Sequence, residues 1–144
     1  MRTLVHLSDL HFGRVDPRIV PPLVQAIRTI APDLMSEDVV MHHPSSPDPV
    51  CGRDSVAGFL GAFRAGFPNM SMVVEDTMGA GDKVAVRWRM RGTHTADLFG
   101  IPPTGVPVNI GGISWLRFSE GRVVEDWVSE DSLGLMRQLG VVNM

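Results

Sequence analysis

The stretch Gly92-Thr93-His94-Thr95-Ala96-Asp97-Leu98-Phe99-Gly100-Ile101-Pro102-Pro103-Thr104-Gly105 lies between two apolar, strand-like segments. Pro102 and Pro103 cannot donate to a ladder, and Gly100 and Gly105 tolerate backbone conformations that other residues resist. These residues are backbone devices, and the stretch reads as a crossing loop. Upstream, Lys83 to Thr95 is a long strand in which Val86, Trp88 and Met90 alternate with Arg87, Arg89 and Arg91. Downstream, Val106 to Phe118 is another strand, with Gly111-Gly112 expected to form a bulge or bend. Met70 to Thr77 precedes this pair and Arg122 to Glu130 follows it, joined by turns at Gly79-Ala80-Gly81-Asp82 and Ser119-Glu120-Gly121. The four segments predict an antiparallel meander.

Helices flank the meander. From Arg53, Val56, Phe59, Leu60, Phe63 and Phe67 share one helical face until Pro68-Asn69 stops the run. Gly58, Gly61 and Gly66 weaken this helix but permit close packing. Ser132 to Leu139 predicts a short closing helix. Val39 to His43 reads as a short strand and Pro44 to Pro49 as a loop. Nearer the start, Thr3 to Leu7 reads as a strand. A helix over 18–30 carries Ile19, Val20, Leu23, Val24, Ile27 and Ile30 on one stripe, and Pro32 ends it. The order predicts an α+β fold: a strongly curved antiparallel sheet wrapped around helices.

The chain's 144 residues suit one domain, and 44% hydrophobic content supports a sizeable core. A net charge of −3 gives no electrostatic case for nucleic acid or an acidic membrane surface. The lone Cys51 excludes an intrachain disulfide framework and a multi-cysteine metal site. No apolar run approaches the ~20 residues of a membrane span. The opening Met1-Arg2-Thr3-Leu4-Val5-His6-Leu7-Ser8-Asp9 is soon broken by charge, so it does not read as a signal peptide. The expected location is the cytoplasm. Long exposed strands commonly hide one face in a partner, which predicts a homodimer.

The crossing loop resembles the GTHxGxxxGIPPTG signature of SnoaL-like polyketide cyclases. The resemblance continues through Gly121-Arg122-Val123-Val124-Glu125-Asp126-Trp127, then Asp131, then Gln138-Leu139-Gly140, and covers about Met35 to Val142. It implies a cone-shaped fold shared with nuclear-transport-factor-like and ketosteroid-isomerase-like proteins, with a deep apolar pocket between sheet and helices. It also implies a cofactor-independent intramolecular aldol condensation on a hydrophobic polyketide-type ester. That chemistry requires a positioned base, a proton for the new alkoxide and a dry cavity.

Asp131 is the first candidate for the acid/base. Four residues after Trp127, it faces the same side as Trp127 on an extended strand, whereas Asp126 faces the other. The family's Trp-xxx-Asp ending implies the same residue. Its competing structural role is to cap the helix that begins at Ser132. His94, inside the signature, is expected to bond a substrate carbonyl or orient the acid, or else to be satisfied by backbone at a strand end. Of the adjacent His42 and His43, which point to opposite faces, the family pattern favours His42 as pocket lining. The superfamily's isomerases place their base at the position of His43. Trp127, Trp115, Phe59 and Phe63 are expected to line the pocket. Arg87, if it enters, would bind an ester or carboxylate, although the three alternating arginines read more simply as a solvated or subunit-facing stripe.

A second resemblance conflicts with the first. Leu4-Val5-His6-Leu7-Ser8-Asp9-Leu10-His11-Phe12-Gly13 resembles the opening strand and DxH motif of calcineurin-like metallophosphoesterases, and extends to about Leu34. Asp9 and His11 could face one metal. The later GD, GNH and GHxH motifs that would complete a two-metal site are absent, so no metal centre and no cofactor are expected. The reading is a hybrid, with a phosphoesterase-like head over 1–34 and a SnoaL-like body over 35–144. The head's helix would take the place of the family's first helix. The alternatives to a cyclase are a non-catalytic small-ligand binding protein of the same fold, and another proton-transfer or hydrolytic enzyme such as an isomerase or epoxide hydrolase.

Overall fold

The computed structural model describes residues 10–11, 14–15 and 32–143, with side chains from Asp33 onward. The expected strand over 3–7, the helix over 18–30 and the metal candidate Asp9 lie outside the described residues, and of His11 only the backbone is described. Strands β1 (Leu10–His11) and β2 (Arg14–Val15) pair with each other as a small antiparallel ladder. A 3-10 turn at Pro32–Leu34 leads into β3 (Met35–His42), followed by β4 (Val50–Cys51) and helix α1 (Arg53–Gly66). The rest of the chain is β5 (Ser71–Ala80), β6 (Lys83–Thr93), β7 (Pro107–Ser119), β8 (Arg122–Glu130) and the short helix α2 (Ser132–Gln138).

Strands β3 to β8 form one sheet in the order β4-β3-β8-β7-β6-β5. The predicted meander β5 to β8 is present and antiparallel throughout. The sheet as a whole is mixed, because β3 runs parallel to β8. Parallel neighbours need a long crossover, and here α1 and the other three meander strands supply it. The two-residue turn between β7 and β8 places Glu120 and Gly121 at φ 51° and 78°. Positive φ at both positions is the twist-matched hairpin geometry.

Alternation sets the inner face. On β6, Val84, Val86, Trp88 and Met90 are buried while Arg87 and Arg91 are exposed. Val108, Ile110, Leu116 and Phe118 continue the buried face on β7. The expected bulge at Gly111-Gly112 is not there, and pairing runs unbroken from Trp88↔Gly112 to Arg89↔Gly111. Gly112 instead makes room for a side chain: a Cβ on it would stand 2.3 Å from Cζ2 of Trp88. Helix α1 covers this face, with Val56 buried, Phe59, Leu60 and Phe63 packed against the core, and Phe67 buried just past its end. Gly66 is closely packed, where a Cβ would meet Leu98 of the crossing loop at 3.1 Å, whereas at Gly58 a Cβ would meet open space among the described residues. Among the described residues no helix is long and apolar enough to cross a membrane.

Candidate functional site

The phase of β8 decides which residues enter the cone. Val123 is buried, and a simple alternation from it would put Glu125 and Trp127 inside. Pairing with β7 slips at this point: Phe118 pairs with Val123 but Arg117 pairs with Glu125, leaving Val124 as an extra residue. A slip of one residue exchanges the two faces of a strand. Asp126, Val128 and Glu130 therefore face inward, and Glu125 and Trp127 face outward. Asp126 is 7% exposed and Trp127 is 37% exposed.

Glu130 meets His43 inside. The two side chains are 2% and 3% exposed, with Oε2 of Glu130 3.6 Å from Nε2 of His43. The His43 ring is oriented from behind, because the Ser45 backbone N–H donates to its Nδ1 at 3.1 Å. An accepting Nδ1 carries no proton, so the imidazole proton sits on Nε2, on the side of Glu130. A separation of 3.6 Å is too long for a hydrogen bond, so that N–H is not committed to the carboxylate. Oε1 of Glu130 accepts from the Ser132 hydroxyl at 3.4 Å. Both residues line a cavity whose remaining wall is apolar, with Leu60, Phe63, Met72, Trp88 and Ile110 among its members. Phe59 packs on the His43 ring at 4.8 Å between centroids, and Phe99 of the crossing loop packs on Phe59 at 5.3 Å. The cavity holds about 20 Å³ among the described residues, room for about one water.

Of the sequence candidates, His43, Phe59 and Phe63 are brought to this cavity. The others are elsewhere. Asp131 is exposed and caps α2, its Oδ1 accepting from Gly134 N–H at 2.8 Å. Its orientation follows from β8 ending at Glu130, one residue before it. His94 is fully buried but serves the crossing loop: its Nδ1 accepts from the Thr104 backbone N–H at 3.2 Å and lies 3.0 Å from the Thr104 hydroxyl. The His94 backbone bonds Val106 and Gly105 as well. Its ring packs on Phe67 at 5.5 Å, so it braces the loop against the end of α1. Among the described residues no group of three or more His, Cys, Asp or Glu side chains is placed to hold a metal ion.

His42, Trp127, Trp115 and Arg87 stand on the outer face, so their expected place in the pocket is corrected. His42 stacks on Trp127 with ring centroids 5.3 Å apart and planes 6° from parallel. Its Nε2 donates to Oε2 of Glu125 at 2.7 Å, and Arg117 donates to Oε1 at 3.1 Å. The His42 hydrogen bond holds the Glu125 carboxyl below its ordinary range; burial opposes this and Arg117 adds to it. Arg87 and Arg89 both pair with Glu75 across the neighbouring strand. Trp115 is 49% exposed and pairs with Trp127.

Glu130 is the residue that sequence reasoning missed. The relative alternation was sound, since Asp126 and Trp127 do oppose each other, but the one-residue slip reverses which side is inner. The adjacent apolar pair Val123-Val124, which strict alternation does not produce, is the one local sign of it.

A model of SnoaL-like polyketide cyclases matches residues 26–139. The match begins inside the segment 1–34, whose resemblance to metallophosphoesterases gains no support. No curated protein matches significantly. Among solved structures, a candidate SnoaL-like polyketide cyclase from Jannaschia sp. CCS1 superposes with TM-score 0.76 at 22% identity, over 85% of this chain and 92% of that one. IdmH, a candidate polyketide cyclase from Streptomyces antibioticus, gives 0.68 at 31% identity, over 82% and 93%. AclR, a candidate hydroxylase from Streptomyces galilaeus, gives 0.71 at 24% identity over 85% of both chains. The α+β cone is thus shared with proteins assigned to different reactions. By the extent of the family match, this chain belongs to the SnoaL-like polyketide cyclase family.

Proposed function

We propose that the protein is a cofactor-independent cyclase that closes a ring by intramolecular aldol condensation, with Glu130 as the acid/base. The observation that supports this best is the buried Glu130–His43 pair facing an otherwise apolar cavity. Glu130 takes a proton from a carbon flanked by two carbonyl groups. The Nε2–H of His43, held toward the cavity by Ser45, donates a hydrogen bond to the enolate oxygen and stays on the ring. The enolate carbon attacks a second carbonyl, forming the new C–C bond. The protonated Glu130 then gives its proton to the resulting alkoxide. One proton moves from carbon to oxygen, and the enzyme returns to its starting state.

The direct test incubates the protein with an anthraquinone-type polyketide methyl ester bearing an open side chain, and follows closure by chromatography. Closure by the wild type and its loss in Glu130→Gln supports the proposal. Closure that survives Glu130→Gln but not Asp131→Asn would overturn the assignment of the base. Saturable binding without turnover would favour a non-catalytic binding protein of the same fold.

We propose also that two copies pair through the outer face of the sheet. Met78, Ala85, Trp115, Trp127 and His42 form a cross-strand row over five strands, and Met78 is 74% exposed. The nearby charges of Arg87, Arg89, Arg117 and His42 already pair with Glu75 or Glu125 within the chain. Covering this face therefore leaves few charges unpaired. Trp115→Glu should shift a dimer to monomer in size-exclusion chromatography with light scattering; an unchanged mass would remove this face as the interface.

A further inference from the structure

We propose that the outer face of the sheet carries a phosphate-binding groove centred on Arg91. The three arginines of β6 share that face but not their surroundings. Arg87 and Arg89 both pair with Glu75. Arg91 is exposed and makes no ion pair among the described residues. It stands in the middle of a cross-strand row, Ser71–Arg91–Asn109. All three line an open groove of about 430 Å³, together with Asn69, Thr93 and Gln138. Among the described residues no acid lines it. The groove lies on the opposite side of the sheet from the Glu130–His43 cavity. Along β6, Arg91 is about 20 Å from Ala85 of the apolar row. The groove is therefore separate from both, and it needs no assumption about the reaction.

The hydrogen bonds of the wall leave donors over. Gln138 sets its side-chain amide against the backbone of Asn109, accepting from its N–H at 2.8 Å and donating to its carbonyl at 3.1 Å. It takes the place of a neighbouring strand there, since the pairing of β8 with β7 begins at Gly112. The same amide donates to the Gly134 carbonyl at 3.2 Å, which fixes it to α2. Asn109 Oδ1 accepts from Arg89 at 3.2 Å, so its Nδ2 is the end left over. Across the groove, Asn69 Oδ1 accepts from the Thr93 N–H at 2.8 Å, and Asn69 Nδ2 donates to the Thr93 hydroxyl oxygen at 3.2 Å. The side-chain carbonyl oxygens of Asn69, Asn109 and Gln138 are thus all in use within the chain. What remains is the Arg91 guanidinium, the hydroxyls of Ser71 and Thr93, and Asn109 Nδ2, every one of them able to donate. Ser71 flanks Arg91 from one neighbouring strand and Asn109 from the other, so the donors come from separate directions. A tetrahedral phosphate group, with its several terminal oxygens and greater charge, meets them more fully than a planar carboxylate. The amide walls are already braced, so little further order is lost on binding.

The test uses inorganic phosphate as the probe. Protein labelled with ¹⁵N is titrated with phosphate at neutral pH and constant ionic strength, with chloride as the balancing ion. Saturable shifts of the Ser71, Arg91 and Asn109 backbone resonances, with a millimolar dissociation constant, support the site. Arg91→Gln, at an exposed position, should weaken binding at least about tenfold, the scale of one hydrogen bond to a charged group. Arg91→Lys keeps the charge but loses the fork, and should fall between the two. Asn109→Asp exchanges a donor for a negative acceptor beside Arg91 and should abolish binding while the rest of the spectrum stays that of the folded protein. Shifts that rise without saturation, or that Arg91→Gln leaves unchanged, would overturn the proposal. Acetate at the same ionic strength should bind several-fold more weakly; equal or tighter binding would overturn the choice of phosphate.

Discussion

On the inner face of β8 stand Asp126, Val128 and Glu130; on the outer face stand Glu125, Trp127 and Ser129. The inner face buries two carboxyl side chains, and the outer face leaves a tryptophan 37% exposed. Folding alone would favour the opposite arrangement, since burying a carboxyl is costly and exposing an indole forfeits burial. Each inversion has its own counterpart. Inside, Glu130 has His43 and Ser132 beside it and an apolar cavity in front. Outside, Trp127 stacks on His42 and continues an apolar row across the sheet. The proposed function gives each face a task that would offset this: acid/base chemistry within and association without.

Substitution at adjacent residues separates the two faces most sharply. Glu130→Gln should cut ring closure by roughly 10²–10⁴-fold, the usual scale for a lost acid/base, with unchanged circular dichroism. Asp131→Asn should change the rate little, because it keeps an acceptor at the N-cap and lies outside the cavity. Equal losses at the two positions would dissolve the distinction between the faces.

The architecture was legible because it rests on long periodic segments. Val86, Trp88 and Met90 marked the inner face of β6, Val56 to Phe67 marked the packing face of α1, and Pro102-Pro103 marked the loop between β6 and β7. The pairing of β3 with β8 was not legible, since nothing local in Val39 to His43 states which distant strand lies beside it. Within the site, His43, Phe59 and Phe63 were found because a helix face and a strand end fix them independently of β8. Glu130 was not, because its orientation depends on a single extra residue at Val124. Aromatic content misled in the same direction, since a large ring next to an acid suggests the interior. Gly112 was read as a bend because sequence carries no record of the indole that fills its place.

Gly112 offers the next largest effect. A methyl group there would overlap Trp88 Cζ2, which Ser114 and the neighbouring strands hold in place. Gly112→Ala should destabilise the fold by about 1–3 kcal/mol, read as a lowered urea midpoint, and should reduce closure because the wall beside Glu130 shifts. Gly111→Ala is the control: its Cβ would meet Arg89 no closer than 3.6 Å, so its stability should change far less. Removing the helix cap comes below this. Asp131→Ala should cost about 1 kcal/mol and leave closure near wild type, whereas a large loss of activity at full stability would return Asp131 to the chemistry.

The smallest effect belongs to the outer carboxylate, and its sign follows from linkage. Glu125 has its pKa lowered in the fold, first by the hydrogen bond from His42 and then with help from Arg117, against the opposing effect of burial. A group with a depressed folded pKa adds stability above its unfolded pKa and loses it as pH falls through the folded value. The difference in urea midpoint between wild type and Glu125→Gln should therefore be complete at pH 7. It should shrink on acidification below the ordinary carboxylate range and vanish once Glu125 is protonated. Its partners His42 and Arg117 are each more than a third exposed, so added salt should weaken the difference at pH 7. A difference that survives both acid and salt would mean that the lost contacts are packing around Trp127, and the outer face would then owe its order to the aromatic row alone.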